Sequence, residues 1–236
     1  MKNVMLLVLL FLAGSISAQD NTLTKKEKRK GWKLVFDGTT TNGWRGYNKQ
    51  AFPEKGWNID QGSLHCMPKG GGGDIILVEK LTNFELSLDW KIGEGGNSGI
   101  FIFGREVEGK PIYFSAPEIQ VLDNERHPDA KNGKNGNRKA GSLYDMIPAT
   151  PQNAKPAGEW NNIRIVAKDA HIVVFQNNVK VVEFTMGTEE WKKMCEDSKF
   201  KNWPDFVNNT GKEGYFGLQD HGDDVWYKNI KLKVLK

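Results

Sequence analysis

The sequence predicts an all-β fold, two antiparallel sheets packed as a sandwich or jelly roll with one short helix. Three observations carry this reading. Segment after segment alternates apolar and polar residues at period two, the pattern of a half-buried strand. Glycine is abundant, 26 of 236 residues, as many tight turns require. A single segment has helical periodicity, which excludes a repeating βαβ design.

In chain order, the strand-like segments are residues 32–36, 57–67 with a turn at Gln61-Gly62, 74–78, 84–91, 98–103, 118–123, 163–167, 171–176, 179–185, 214–221 and 225–235. In the segment from residue 84, Phe84, Leu86, Leu88 and Trp90 share one face, and Glu85, Ser87, Asp89 and Lys91 the other. Lys168-Asp169-Ala170 and Asn177-Asn178 are turn sequences that join three consecutive strands into a meander. The helix is expected over residues 188–200, capped by Thr188, with Glu189 and Glu190 at its positive end and a stripe of Trp191, Met194 and Cys195. Two long irregular stretches, 124–140 and 147–159, are of the size that borders a site in a rigid sandwich.

The first residues read differently. Lys2 and Asn3 precede an apolar run over residues 4–13 and then the small residues Gly14, Ser15, Ser17 and Ala18. This is the pattern of a secretory signal peptide cut after Ala18, with a periplasmic or secreted product. The run falls short of the roughly 20 residues that span a bilayer, so no membrane span is expected. Residues 19–30 form a basic arm with Lys25, Lys26, Lys28, Arg29 and Lys30, and residues 31–236 form one domain. The net charge of +4 is too small to indicate a nucleic-acid partner. Cys66 and Cys195 could bridge after export, but two cysteines carry no spacing signature. Oligomeric state is not legible.

Familiar catalytic motifs are missing. The glycines at 70–73 lead into a strand instead of a helix, and Gly-x-Ser-x-Gly, His-Glu-x-x-His and Cys-x-x-Cys are all absent. His65 and His171 read as structural, while His127 sits in the long loop beside Arg126 and Pro128. Asp220, Asp223 and Asp224 form an acidic turn of the kind more often solvated than metal-bound. The tryptophans read mostly as core, with one or two free to stack on a sugar.

Two segments stand out for chemistry. Glu118 and Gln120 share one strand face opposite Ile119 and Val121, and Tyr215, Gly217, Gln219 and His221 share one opposite Phe216 and Leu218. If both faces belong to one sheet, they gather a carboxylate, amides, a phenol and an imidazole, a set that binds sugar hydroxyls and moves protons. A solvated outer sheet and a tight turn at Gly222 would give the same alternation.

Six motifs in order then carry a resemblance: Gly31-Trp32-Lys33-Leu34-Val35-Phe36-Asp37-Gly38 with Gly43-Trp44, Gly96-Asn97-Ser98-Gly99-Ile100, Glu118-Ile119-Gln120-Val121-Leu122-Asp123, Ala140-Gly141-Ser142-Leu143-Tyr144-Asp145, Gly158-Glu159-Trp160-Asn161-Asn162 and Leu218-Gln219-Asp220-His221-Gly222. Together they resemble the 3-keto-disaccharide hydrolase family over residues 31–236. The resemblance implies a concanavalin A-like jelly roll and action on oligosaccharides or glycosides oxidised to a ketone at C3. It also implies a site of His221 and Glu118 as catalytic groups, with Gln120, Tyr144, Asp145, Gln219 and Arg105 on the substrate. Relatives place an Arg closer to the Asn-Ser-Gly-Ile motif, whereas here Phe103 stands there and Arg105 follows on the same strand parity. No organic cofactor is expected, and a divalent cation, if bound, would fall to Glu118, Asp123 and Asp220. A two-carboxylate glycosidase and a non-catalytic sugar-binding module are the alternatives.

Overall fold

The computed structural model describes residues 19–236, so the signal peptide expected over residues 1–18 lies outside the described residues. Thirteen strands build two antiparallel sheets. The larger runs, in spatial order, β11 (Val179–Thr185), β10 (His171–Gln176), β9 (Asn161–Lys168), β6 (Phe84–Ile92), β13 (Val225–Val234), β4 (Ser63–Cys66) and β3 (Trp57–Asp60), with β1 (Lys33–Leu34) also on β13. The smaller runs β2 (Trp44–Gly46), β5 (Ile75–Leu81), β12 (Gly214–Leu218), β7 (Asn97–Gly104) and β8 (Glu118–Leu122).

Alternation explains the layering. Phe84, Leu86, Leu88, Trp90 and Ile92 of β6 are fully buried, while the residues between them are partly exposed. From the smaller sheet Ile100, Ile102, Ile119, Val121, Phe216 and Leu218 enter the same core. Burying each such side chain is worth about 1.5–3 kcal/mol. The β9–β10–β11 meander closes through Asp169-Ala170 and Asn177-Asn178, all four at positive φ. Such turns match the right-handed strand twist.

The face of the smaller sheet turned from the core is where the site lies. One part of it is closed by an apolar cluster of Phe101, Ile76, Tyr47, Ile112 and Ala116. The rest stays polar. Loops between β7 and β8, between β8 and β9, and between β11 and β12 wall it in.

Several expectations need correction. The described residues hold three short α-helices, not one: α1 (Lys25–Arg29), α2 (Glu189–Glu196) and α3 (Pro204–Val207). Thr188 caps α2 as expected, but the helix ends at Glu196, where Ser198 Oγ donates to the Cys195 carbonyl and accepts the Phe200 amide. The basic arm is not loose. A Thr24–Glu27 capping box closes α1, Glu27 pairs with Lys231 at 2.7 Å, and Asn21 and Asn229 exchange backbone-to-side-chain hydrogen bonds. Strand β2 escaped the periodicity because it has three residues with Arg45 at its centre. Cys66 and Cys195 are both buried and unbridged, one on β4 beside Asp220 and the other on α2. His65 and His171 do have acidic neighbours, Asp224 and Glu183, supplied across strands or turns; His65 also stacks on Trp226.

Gly214 opens β12 against the backbone of Phe103, where an added Cβ would lie 2.4–2.6 Å from main-chain atoms. Gly214→Ala is expected to cost about 1–3 kcal/mol in urea unfolding through overpacking. A loss within experimental error would show that the two strands have slack at this point.

Candidate active site

Strand register lays the polar residues out in a row. On β7 and β8, Glu118 pairs with Phe101, Gln120 with Gly99, and Leu122 with Asn97. On the other side of β7, Gly217 pairs with Phe101, and the Gln219 amide donates to the Gly99 carbonyl. Glu118 therefore stands at one end, Gln120 and Gln219 in the middle, and Asn97 with His221 at the other. At roughly 3.3 Å per residue the two ends are about 13 Å apart along the backbone. A cavity of about 400 Å³ opens over this row. It gathers the expected Glu118, Gln120, Tyr144, Gln219 and His221, and adds Asn97, Tyr113, Phe114, Lys199 and Trp203.

Glu118 is 7% exposed and leans over Gly99, where a Cβ would lie 2.3 Å from its Oε1. The missing side chain makes the space. Among the described residues nothing donates a hydrogen bond to this carboxyl, and burial pushes its pKa well above the usual carboxylate range, with Lys199 pulling the other way. The carboxyl thus holds a proton at pH values where an ordinary glutamate has lost it. Lys199 as a whole is exposed, while its ammonium lies 4.1 Å from the centre of the Tyr144 ring, and desolvation pulls its pKa below the ordinary lysine value.

The wall beside Glu118 is one bonded network. Tyr144 Oη donates to Asp129 at 2.7 Å, and Arg138 bridges Asp129 at 2.9 Å and Asp145 at 2.6 Å. Asp145 in turn accepts the Lys199 backbone amide at 2.9 Å. Burial and the Asp129 carboxylate both push the Tyr144 phenol up, so it stays protonated and fixed.

At the other end His221 Nδ1 lies 3.5 Å from Asp223 Oδ2, and that oxygen accepts the Asn97 backbone amide. The His127 ring stands edge-on to His221 with centroids 6.1 Å apart. Burial and the neighbouring His221 lower the His127 pKa, which favours its neutral form. His127 Nδ1 accepts the Asp129 amide at 3.1 Å. Asn97 Oδ1 and Gln219 Oε1 are buried without a partner among the described residues. Buried acceptors left bare are costly, and a sugar hydroxyl is the right donor to satisfy them.

Four expected residues lie outside this cavity lining. The Arg105 guanidinium is exposed and binds the Asp205 carbonyl, because Phe103 at positive φ breaks the strand parity that would have carried Arg105 to the site. Asp145 holds Arg138 and the Lys199 amide and positions other groups. The expected metal set of Glu118, Asp123 and Asp220 is not assembled. Asp123 accepts the Gly95, Glu125 and Arg126 amides, and Asp220 accepts those of Gly73 and Gly222 and the Cys66 thiol, so both carboxylates serve loop backbones. Among the described residues the cluster of possible metal donors is instead His127, His221 and Asp223, with ligand atoms within 4.8 Å of one another. Of the long stretches, 124–140 supplies His127, Asp129 and Arg138 to the site or its wall. The stretch 147–159 packs instead against β9 and β10 through Asn153 and Lys155.

The residues missed from sequence come from loops. Lys199 and Trp203 follow α2, and Tyr113 and Phe114 sit in a 3-10 turn before β8. Asn97 was visible in the Asn97-Ser98-Gly99 motif but carried no sign of its role.

Residues 31–233 match the family described as the 3-keto-alpha-glucoside-1,2-lyase-like domain. A Bacteroides thetaiotaomicron protein named 3-keto-disaccharide hydrolase is 46% identical, over 93% of this chain and 83% of that protein. A crystallised Parabacteroides distasonis protein with a provisional glycosyl hydrolase designation is 32% identical at a TM-score of 0.83, over 92% of this chain and 100% of that one. A Bacillus subtilis protein of galectin-like fold superposes at a TM-score of 0.51 with 11% identity, covering 92% and 94% of the two chains, which is a likeness of fold alone.

The site predicts a stability slope. Between the unfolded glutamate pKa and its raised folded value, Glu118 binds a proton only in the folded state, so stability falls as pH rises. From about pH 5 to about pH 7 the melting temperature of the native chain should therefore drop more than that of Glu118→Gln. Parallel curves would show that Glu118 ionises normally.

Proposed function

The chain belongs to the 3-keto-alpha-glucoside-1,2-lyase-like family and is a carbohydrate-active hydrolase, and from this premise we propose that it cleaves 3-keto-glycosides by elimination and rehydration. The observation that carries the reading is a buried carboxyl without a donor among the described residues, sharing a cavity floored by carboxamides with the His221 imidazole, which His127 flanks.

A ketone at C3 acidifies the hydrogen on C2. His221, flanked by Asp223 and neutral His127, takes that proton. The resulting enolate expels the C1 substituent, and Glu118 gives its proton to the departing oxygen. Water then adds to C1 of the enone, the Glu118 carboxylate takes the water's proton, and His221, half-exposed and so able to exchange its N–H with solvent while the enone is bound, gives a proton to C2. Both residues end as they began, and the net change is hydrolysis. Proton transfer by a placed imidazole is typically worth about 10²–10⁴ in rate, and each preorganised donor to the enolate oxygen about 10²–10³. The Gln219 carboxamide and the Lys199 ammonium are the donors at hand, while the Asn97 amide nitrogen lies 3.4 Å from His221 Nε2.

A conventional glycosidase needs two carboxyl groups about 5–9.5 Å apart across one bond. Glu118 is the carboxyl that lines the cavity among the described residues, while Asp123 and Asp145 are occupied elsewhere. A second version of the mechanism places a divalent cation between His127, His221 and Asp223, where it would polarise the ketone; the bare Asn97 Oδ1 nearby favours it. Against it, His127 Nδ1 already accepts an amide proton, which leaves the hydrogen on Nε2 and makes that nitrogen a poor ligand. The metal-free version is therefore preferred. Export to the periplasm or beyond is part of the proposal and rests on the leader-like sequence of residues 1–18.

The test is hydrolysis of a 3-keto-glucoside and its unoxidised counterpart in D₂O enriched in H₂¹⁸O. Elimination and rehydration put deuterium on C2 and ¹⁸O on C1 of the keto sugar product, with no release from the unoxidised glucoside. Release without deuterium on C2 would overturn the mechanism. His221→Ala should lose about two to four orders of magnitude in kcat, and kcat should fall on an alkaline limb above the usual carboxylate range as Glu118 ionises. Activity that survives chelation with no bound metal by elemental analysis supports the metal-free version, and loss restored by one cation supports the other.

A further inference from the structure

Resting on that reading, we infer that Tyr113, Phe114 and Trp203 form the leaving-group subsite, and that it selects substrates whose group at C1 presents a flat apolar ring face. The cavity is two-sided. Its floor is carboxamide, carboxyl and imidazole, whereas Tyr113, Phe114 and Trp203 give it an aromatic wall. Trp203 stacks on Phe114 with centroids 4.3 Å apart and planes 10° from parallel, and Tyr113 lies 5.7 Å from Trp203 at 34°. These rings are held from behind. Phe200 packs edge-on against Trp203 at 5.2 Å, and Lys110 lies over Phe114 at 5.1 Å. Tyr113 packs on Phe114 at 5.4 Å, is 36% exposed, and lines the cavity.

The order along the sheet decides which part of the substrate meets this wall. Tyr113 and Phe114 lie in the turn that leads into β8, which begins at Glu118, the end of the strand opposite the Leu122–Asn97 pair. The group that removes the C2 proton is at the His221 end. The group that protonates the departing oxygen is at the aromatic end. A substrate spanning both places its keto sugar over the carboxamides and its departing group against the rings. Aromatic faces attract flat apolar faces, and both an aryl aglycone and the C–H face of a second sugar have one. A methyl group does not.

The experiment compares methyl 3-keto-glucoside, phenyl 3-keto-glucoside and a 3-keto-disaccharide on the native chain, Tyr113→Ala and Trp203→Ala. Phenoxide leaves more readily than methoxide from any site, so the subsite is read from the change in the ratio: the kcat/KM preference for phenyl over methyl should fall by about 10- to 200-fold, the range a hydrophobic pocket achieves, in both variants. A disaccharide that loses as much as phenyl in the variants identifies the second sugar as a natural occupant; one that loses as little as methyl restricts the subsite to aryl groups. An unchanged ratio, or equal loss on all three substrates, overturns the proposal. Calorimetric binding of phenyl and methyl glucoside to the same proteins needs no turnover. A phenyl preference there that disappears in Tyr113→Ala, with no keto-glycoside cleaved, would keep the subsite and discard the proposed reaction. No preference in either assay would discard the subsite.

Discussion

Everything in the site follows from holding one carboxyl on a sheet face with nothing to hydrogen-bond it. A glutamate in such surroundings holds its charge only at a cost, and among the described residues no amide or guanidinium donates to it. Its nearest cation, Lys199, is anchored through its backbone to Asp145 and through its ammonium to the Tyr144 ring. The arrangement favours a proton that is available for donation. Such a group weakens the fold at neutral pH, a cost commonly found at catalytic positions.

Two kinds of support keep the carboxyl useful. Strand register fixes distances along the floor, because β7 is paired on both sides and cannot slide without turning its core residues outward. The walls depend instead on charge. Arg138 joins Asp129 and Asp145, and through them Tyr144, the turn after His127 and the segment that carries Lys199. Bidentate and bridged guanidinium contacts of this kind give fixed geometry as well as energy.

This division also explains what could be read from the sequence. Strand parity is a local property, and it put Glu118 and Gln120 together, and Gln219 and His221 together, because each pair lies along one continuous stretch. It failed at Arg105, where the positive φ of Phe103 resets the alternation within a single residue. Acidic residues at strand ends were ambiguous for a different reason. Asp123 and Asp220 look like ligands in one dimension, yet both are consumed by amides of loops that arrive from elsewhere. Lys199, Trp203 and Tyr113 belong to loops whose meeting depends on the whole sandwich being formed, so no periodicity announced them.

Gly99 gives the sheet one further property. It has no turn to make and no positive φ to adopt, and the three atoms nearest to an added Cβ all belong to the Glu118 side chain. The two positions therefore behave as one heritable unit. A lineage that replaced Gly99 first would evict the acid, and one that replaced Glu118 first would leave an empty notch on β7. Descendants that abandon the chemistry are free to fill that notch, so the residue at position 99 is a marker of whether a relative still needs the carboxyl.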